Sequence, residues 1–432
     1  MMDRSNQRGR GRYAARGGGQ PPSTNAGQRP PTRSLVDGLV ETPLQVVQRP
    51  AVPALWKEAR ITQVEYVASY NWTDSTKPTI LVPGSAPEWR NKPVPFKVHV
   101  DKGLMFMDEH GFRMPSSPLY PLFRAADIMA EDRNGGPVDW PSVDFITDRN
   151  CLRKILRWAS GSAEQFRIDM QLAGNRTVLM NRWERTTAQR IYGTYYHNFE
   201  RASTVKARGC EAGASHYRVI KYDFEGLTMV VRAQVDAYLP VDATPGVPST
   251  LNNRRSKRPV SNIDTAASTA ELDVIRAGSE VPQGSLVEMI TRITKKAQAY
   301  TWDEAYSQLL LSQDPHHILA VHENGEFHTI TKRRINDAEL VPIEATTRDK
   351  FRRLRAALEA VQELVVEHGQ SMRLSLVCLA GQLAVYERIS QDSCLPENML
   401  ARFVCMNGGV DDARDQEPGL EYQCQGFVRK LQ

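Results

Sequence analysis

Two stretches of the chain place acids where acids are costly. Residues 227–239 (LTMVVRAQVDAYL) are β-branched and apolar and predict one buried strand, yet Asp236 lies within it. Strand side chains alternate between faces, so Arg232, Gln234, Asp236 and Tyr238 are expected on one side. Residues 286–292 (LVEMITR) predict a shorter strand with Glu288, Ile290 and Arg292 on one side. A carboxylate inside an apolar strand costs free energy unless something pairs with it. Two strands that each offer one acid can hold a divalent metal between them, and Mg²⁺ and Mn²⁺ prefer such hard oxygen ligands. The other way to satisfy the acids is a local arginine for each. Spacing alone leaves both open.

The neighbouring elements must position these acids. Residues 61–72 alternate apolar and polar and predict a strand, and residues 122–129 a short helix ahead of the Asn134-Gly135-Gly136-Pro137 break. Residues 148–158 predict a helix carrying Arg149, with Leu152, Ile155 and Leu156 on one face. Residues 165–179 predict strands with a turn at Asn175. A helix is expected over 182–202, carrying Ile191, Tyr195, Tyr196 and Phe199 and closed by Glu200. Another is expected over 302–311, carrying Gln308. Residues 316–331 (HHILAVHENGEFHTIT) predict a hairpin turning at Asn324-Gly325. Its histidines, His316, His317, His322 and His328, are irregularly spaced and are expected at the surface rather than on a metal. Phe351, Leu354, Ala357, Leu358, Val361, Leu364 and Val365 make the strongest helical repeat, stopped by Gly369. Residues 373–386 are expected as a second helix packed against it.

With 24% charged and 41% hydrophobic residues, the chain has the composition of a globular protein. No apolar run reaches the roughly 18 residues that span a bilayer, and the N-terminus lacks the apolar segment of a secretory signal, so no membrane association is expected. The six cysteines have neither CxxC nor zinc-finger spacing and are expected reduced, with a disulfide among Cys394, Cys405 and Cys424 as the alternative. Seven arginines against one aspartate in residues 1–33 account for the net charge of +5, leaving the remainder near −1. This Gly-, Arg- and Pro-rich tail cannot offset its ordering entropy and is expected to be disordered. Its arginines and Tyr13 suit nucleic-acid backbones and bases, or serve solubility alone. Order is expected from about Arg60. Residues 241–280 are expected as a flexible insertion with a basic knot at Arg254-Arg255-Ser256-Lys257-Arg258. The knot is either a solvated loop or a nuclear-localisation or nucleic-acid patch.

The order of these elements resembles the DXO-type decapping exoribonucleases, the family that includes the nuclear partner of the main 5′→3′ exoribonuclease. Phe145-Ile146-Thr147-Asp148-Arg149 is similar to the family's F-V-T-W-R, and Asn198-Phe199-Glu200 to the end of its G-Y-K-F-E. Gln234-Val235-Asp236 stands at its E-V-D, and Glu288-Met289-Ile290-Thr291 at its E-L-K-T. Gln308, Pro315 and the apolar residues 318–321 resemble its Q-S-F-L-P-G-V-P-N-V-V segment, and residues 61–72 its first strand. The likeness covers roughly residues 45–390 and is to a divergent, fungal branch.

The resemblance implies an α+β fold with a PD-(D/E)XK-like nuclease core, a mixed central β-sheet flanked by helices. It implies a single domain over 45–390, after a disordered tail (1–44) and before a C-terminal extension (391–432). Glu200, Asp236 and Glu288 would be the catalytic, metal-facing acids for Mg²⁺ or Mn²⁺. Arg149 and Gln308 would contact RNA phosphates; strand alternation rather than the resemblance adds Arg292, on the face of Ile290, as a further RNA-facing cation. RNA 5′ ends are the implied ligand, a 5′→3′ exoribonuclease or another RNA-processing protein the implied partner, and the nucleus the implied location, with the cytoplasm as alternative. Two departures matter. Gln234 stands where the family has an acid, and Ile290 where it has a lysine. A lysine offsets charge developing in phosphodiester hydrolysis, and Ile does not. Two functions stay open: a metal-dependent RNA 5′-end hydrolase with a degenerate site, and a catalytically inactive relative that binds RNA or a protein. A third reading is an unrelated α+β protein whose acids are structural.

Overall fold

The computed structural model describes residues 33–51, 59–240 and 262–404. Its longer elements in chain order are β1 (Gln45–Val47), β2 (Ile61–Thr73), β3 (Thr79–Gly84), α1 (Tyr120–Asp132), β4 (Phe145–Asp148), α2 (Arg149–Ala159), β5 (Phe166–Ala173), β6 (Thr177–Trp183), α3 (Tyr196–Ser203), β7 (Gly213–Phe224), β8 (Leu227–Val235), β9 (Ala237–Tyr238), β10 (Asp273–Gly278), β11 (Leu286–Ile293), α4 (Trp302–Ser312), β12 (His316–Glu323), β13 (Glu326–Arg334), α5 (Val341–His368), β14 (Arg373–Leu379) and β15 (Gln382–Glu387).

Two mixed sheets carry the fold. The larger has eleven strands in the order β1-β15-β14-β5-β6-β4-β8-β7-β2-β3-β10. Its central strand β4 runs parallel to both neighbours, β8 and β6, and is buried along its whole length. Such a strand needs helices on both faces, and it has them. On one face Leu152, Ile155 and Trp158 of α2 and Phe351, Leu354 and Leu358 of α5 pack on Phe145, Met229 and Val231. On the other, Leu122, Phe123 and Ile128 of α1 pack on Ile146, Val219 and Val230. The smaller sheet has seven strands, with β9, β11, β12 and β13 in sequence and two-residue strands at its edges. Trp89, Phe96, Phe199, Met289, Ile318 and Phe327 form its core beneath α3.

The predicted hairpin forms. Asn324 at φ +50° and Gly325 at φ +83° turn β12 into β13, as a two-residue primed turn requires. The helix expected from Phe351 to Val365 forms as well; it begins earlier, at Val341, and stops at Gly369, φ +74°.

Several expectations fail for physical reasons. Residues 182–202 are not one helix. Their first half completes β6 and a short edge strand at Ala188–Arg190, and only Tyr196–Ser203 is helical. Residues 373–386 form the hairpin β14–β15, not a helix, with Ala380 and Gly381 at positive φ. Residues 227–239 are not one strand. The ladder with β7 ends at Val235, and Ala237 already pairs with Val287 in the other sheet. His317 and His322 are buried, not at the surface, because β12 lies inside its sheet with β11 on one side and β13 on the other.

Order also precedes Arg60: Leu35 and Leu39 are buried, and β1 pairs with β15. Within 241–280, β10 adds a parallel strand to β3. Within the C-terminal stretch, Phe403 packs on Phe123 and Trp140. Cys394 is buried with a free thiol pushed up to about 12 by burial, while Cys405 and Cys424 lie outside the described residues. The Arg-rich tail before Arg33 and the basic knot at 254–258 also lie outside them. Among the described residues no helix is long and apolar enough to cross a membrane.

Candidate functional site

The place where the chain leaves the large sheet and enters the small one is residue Asp236. Its neighbours Val235 and Ala237 belong to β8 and β9. A residue between two ladders has no strand partner of its own, so its side chain is free to serve the gap between the sheets. Asp236 is buried, and its Oδ2 accepts the Met289 N–H of β11 at 2.8 Å. It also hydrogen-bonds the hydroxyl of half-buried Tyr196 of α3, whose ionisation is opposed by desolvation and then by Asp236, Glu200 and Glu288. Burial, then the nearby charges of Glu288 and Glu200, push the Asp236 carboxyl well above its ordinary range. Glu200, on α3, is pushed up to about 7 by burial, with Asp101 adding to it and Arg201 opposing.

Glu288 is handled differently. Both carboxylate oxygens are taken from elements distant in sequence. Arg149, the first residue of α2, donates to its Oε2 at 2.9 Å, and Gln308 of α4 donates to its Oε1. The same guanidinium reaches Ser312 Oγ at 3.1 Å and Asp314 at 3.5 Å. Burial works against the Arg149 charge, but Glu288 and Asp314 outweigh it and its pKa rises. Asp314 is itself pushed up to about 7, chiefly by burial, against the pull of Arg149. Asp148, one residue earlier, faces the other way and holds buried Arg232 in a two-pronged pair at 2.6 and 3.0 Å. Consecutive residues at the junction of β4 and α2 thus serve opposite faces.

Beside Glu288 a cavity of about 390 Å³ opens. Glu288, Ile290 and Arg292 of β11 line it, as strand alternation predicts, together with Gln308, Arg153 and Lys296. Its aromatic wall is Tyr300 and His317, joined by a 3.1 Å hydrogen bond, with Trp302 edge-on to the histidine at 4.7 Å. Arg292 lies 5.4 Å from the Tyr300 ring. His317 is pushed down to about 4, first by burial and then by Arg333 and Arg292, so it stays neutral. Arg153 is lowered to about 10 by burial and by its neighbours Arg149 and Arg157. Cations crowded this closely favour an anion between them.

The structure therefore brings together Arg149, Glu288 and Gln308 by direct contact, with Ile290 and Arg292 on the same wall. It sets Asp236 and Glu200 near them, close enough for their charges to interact. Gln234 is exposed, and it does not line the cavity. The sequence reading missed Asp314, Ser312, Tyr196, Tyr300, His317 and Arg153. The signal for Asp314 was an acid directly before Pro315, at the end of an apolar helix; the others carried none.

The donor chemistry of Asp236, Glu288 and Glu200 suits a hard divalent ion, but the arrangement does not. Glu288 is neutralised by Arg149. Among the described residues no three His, Cys, Asp or Glu side chains are grouped as a metal site requires. The cation that answers Glu288 is an internal one.

Residues 43–404 match the model of a family described as a domain of unknown function (DUF8563). No curated protein matches the sequence. Several solved structures share the fold. Rai1 of Scheffersomyces stipitis, in complex with (3′-NADP)+ and calcium ion, is 10% identical with a TM-score of 0.55, covering 83% of this chain and 99% of that one. Rai1 of S. pombe, in complex with 3′-FADP, is 12% identical with a TM-score of 0.51, covering 79% and 99%. Rai1 of Candida albicans, in complex with pU5-Mn2+, is 11% identical with a TM-score of 0.51, covering 80% and 96%. At such identities the likeness is one of fold: an α+β architecture with large mixed sheets.

Proposed function

The chain belongs to the DUF8563 family, and from that premise and the shared fold we propose that it binds RNA 5′ ends in the cavity beside Glu288, with weak or no hydrolysis. On this reading the two sheets form a PD-(D/E)XK-like core. Asp236, Glu288 and Glu200 are the remainder of a metal-facing acid set, and Arg292, Arg153 and Gln308 face the RNA. The observation that carries it is the combination in one cavity of crowded arginines, a tyrosine face and a glutamate already paired to Arg149. Phosphates find the cations, and a base stacks on Tyr300. The candidal relative holding pU5 with Mn²⁺ supports RNA as the ligand class.

The same pairing weighs against hydrolysis. A metal would compete with Arg149 for Glu288, and Ile290 supplies no cation at its own position on β11. A catalytically inactive RNA- or protein-binding relative, working with a 5′→3′ exoribonuclease, is the form of this reading that the Arg149–Glu288 pair favours. The experiment compares binding of 5′-monophosphorylated and 5′-hydroxyl RNA of one sequence. A preference for the phosphorylated end that is lost in Arg292→Gln supports the proposal. Equal affinity for the two ends in the wild type contradicts it.

A further inference from the structure

A second cavity, of about 190 Å³, adjoins the first and shares Arg153, Thr301 and Glu304 with it. It leads away from Glu288 between α2, α4 and the start of α5. Arg149, Arg153 and Arg157 stand at four-residue spacing on α2, so they share one face of the helix. That face runs from the Glu288 contact, past the junction of the two cavities, into the second, where Lys350 of α5 joins it. The Glu304 carboxylate sits at the junction and takes hydrogen bonds from both Arg153 and Arg157. Its side chain is 52% exposed, so solvent and solutes reach it. Arg153 Nε remains buried without a partner. Lys350 is 3.5 Å from Asp303, the other acid at this end.

We infer that the second cavity is a phosphodiester subsite for the nucleotides that follow the 5′ end. Arg153, Arg157 and Lys350 would hold the phosphate, and Glu304 occupies its place when RNA is absent. A carboxylate bridging two guanidiniums offers them the same charge and the same oxygen acceptors as a phosphodiester. An exposed ion pair of this kind is weak and readily exchanged. The inference rests on the 5′-end reading for the direction of the chain; Arg153 lines both cavities, while Arg157 and Lys350 line the second and not the first.

The test titrates uridine 5′-monophosphate and a 5′-phosphorylated oligouridylate of roughly ten nucleotides, a length within the usual single-strand site sizes. Wild type, Glu304→Gln and Arg157→Gln are compared, each first checked for an unchanged thermal midpoint. Glu304→Gln is expected to bind the oligonucleotide about fivefold more tightly, and Arg157→Gln about fivefold less tightly. Arg157→Gln should also lower the log–log salt slope by about 0.7, the value for one single-strand phosphate. The mononucleotide should be unaffected by Arg157→Gln, whose residue lines the second cavity and not the first. Oligonucleotide affinities that do not move in the two variants overturn the subsite and leave the 5′-end reading intact. Loss of mononucleotide binding in the wild type, with the oligonucleotide still sensitive to Glu304 and Arg157, overturns the 5′-end reading and keeps the subsite. An oligonucleotide that binds no variant overturns both.

Discussion

Arg149 is the residue on which the site's electrostatics turn, because it neutralises Glu288 and also meets Asp314. Arg149→Met would leave the part-buried Glu288 and the buried Asp314 without their cation. Such a loss typically costs about 3–5 kcal/mol. The double change Arg149→Met with Glu288→Met should recover the Glu288 share of it and leave the Asp314 share, since Asp314 still lacks its cation. Urea unfolding of wild type, both singles and the double gives the coupling directly. A second prediction concerns Glu200. Its folded-state pKa, about 7, lies above its ordinary 4.5, so the folded protein holds that proton more tightly than the unfolded one. The associated stability is present below pH 4.5 and is lost as pH rises through 7. Glu200→Gln should therefore flatten the pH profile over that window and be more stable than wild type at pH 8, by on the order of 2–3 kcal/mol. A variant less stable than wild type at pH 8 would contradict it. At this scale the acids Asp236 and Glu288, and the shared face of Glu288, Ile290 and Arg292, were legible in the sequence. What was not legible is which arginine answers which acid. The partner of Glu288 lies 139 residues away, and spacing within a strand says nothing about a contact made across a fold.

Elements were legible where a period was backed by a stop signal. The Asn324-Gly325 hairpin and the helix ending before Gly369 had both. Residues 182–202 and 373–386 had apolar residues without a decisive period, and there tertiary pairing chose the structure. In 373–386 the ladder of β5 receives β14, and β15 folds back between β14 and β1. The break at Asp236 could not be read at all. It exists because two sheets compete for one stretch of chain, and only the fold supplies the second sheet. The hairpin yields a prediction at this scale. A Cβ on Gly325 would lie 2.5 Å from the Tyr195 ring and 2.7 Å from the Val98 oxygen, whereas one on Gly226, at nearly the same φ, would meet nothing. Gly226→Ala should cost about 1 kcal/mol, the left-handed penalty alone. Gly325→Ala should cost at least about 2 kcal/mol more, from the clash. Equal losses in chemical denaturation would show that the hairpin tip can move away from Tyr195.

At the scale of the whole molecule, the net charge of +5 comes from the tail, which lies before Arg33. Arg33 itself is docked, donating to the Glu184 carbonyl and lying 4.6 Å from the Trp183 ring, so a truncation must stop at residue 32. Removing residues 1–32 should leave the thermal midpoint nearly unchanged. It should weaken RNA binding and flatten its salt dependence, by about 0.7 in slope for each phosphate that the tail neutralises. An unchanged slope would take the tail out of any binding role.

The central claim is that this fold holds an RNA 5′ end at a site whose acid is already neutralised from within. It is tested most directly by incubating 5′-labelled, 5′-phosphorylated RNA with the protein in Mg²⁺ or Mn²⁺ and reading retention and cleavage from the same samples. Wild type, Asp236→Ala, Ile290→Lys and Gln234→Glu with Ile290→Lys are compared. The account predicts RNA that is retained and uncut by wild type and Asp236→Ala alike. Ile290→Lys should accelerate any cleavage, and the exposed Gln234 should add little. Rapid cleavage by the wild type that disappears in Asp236→Ala would contradict it.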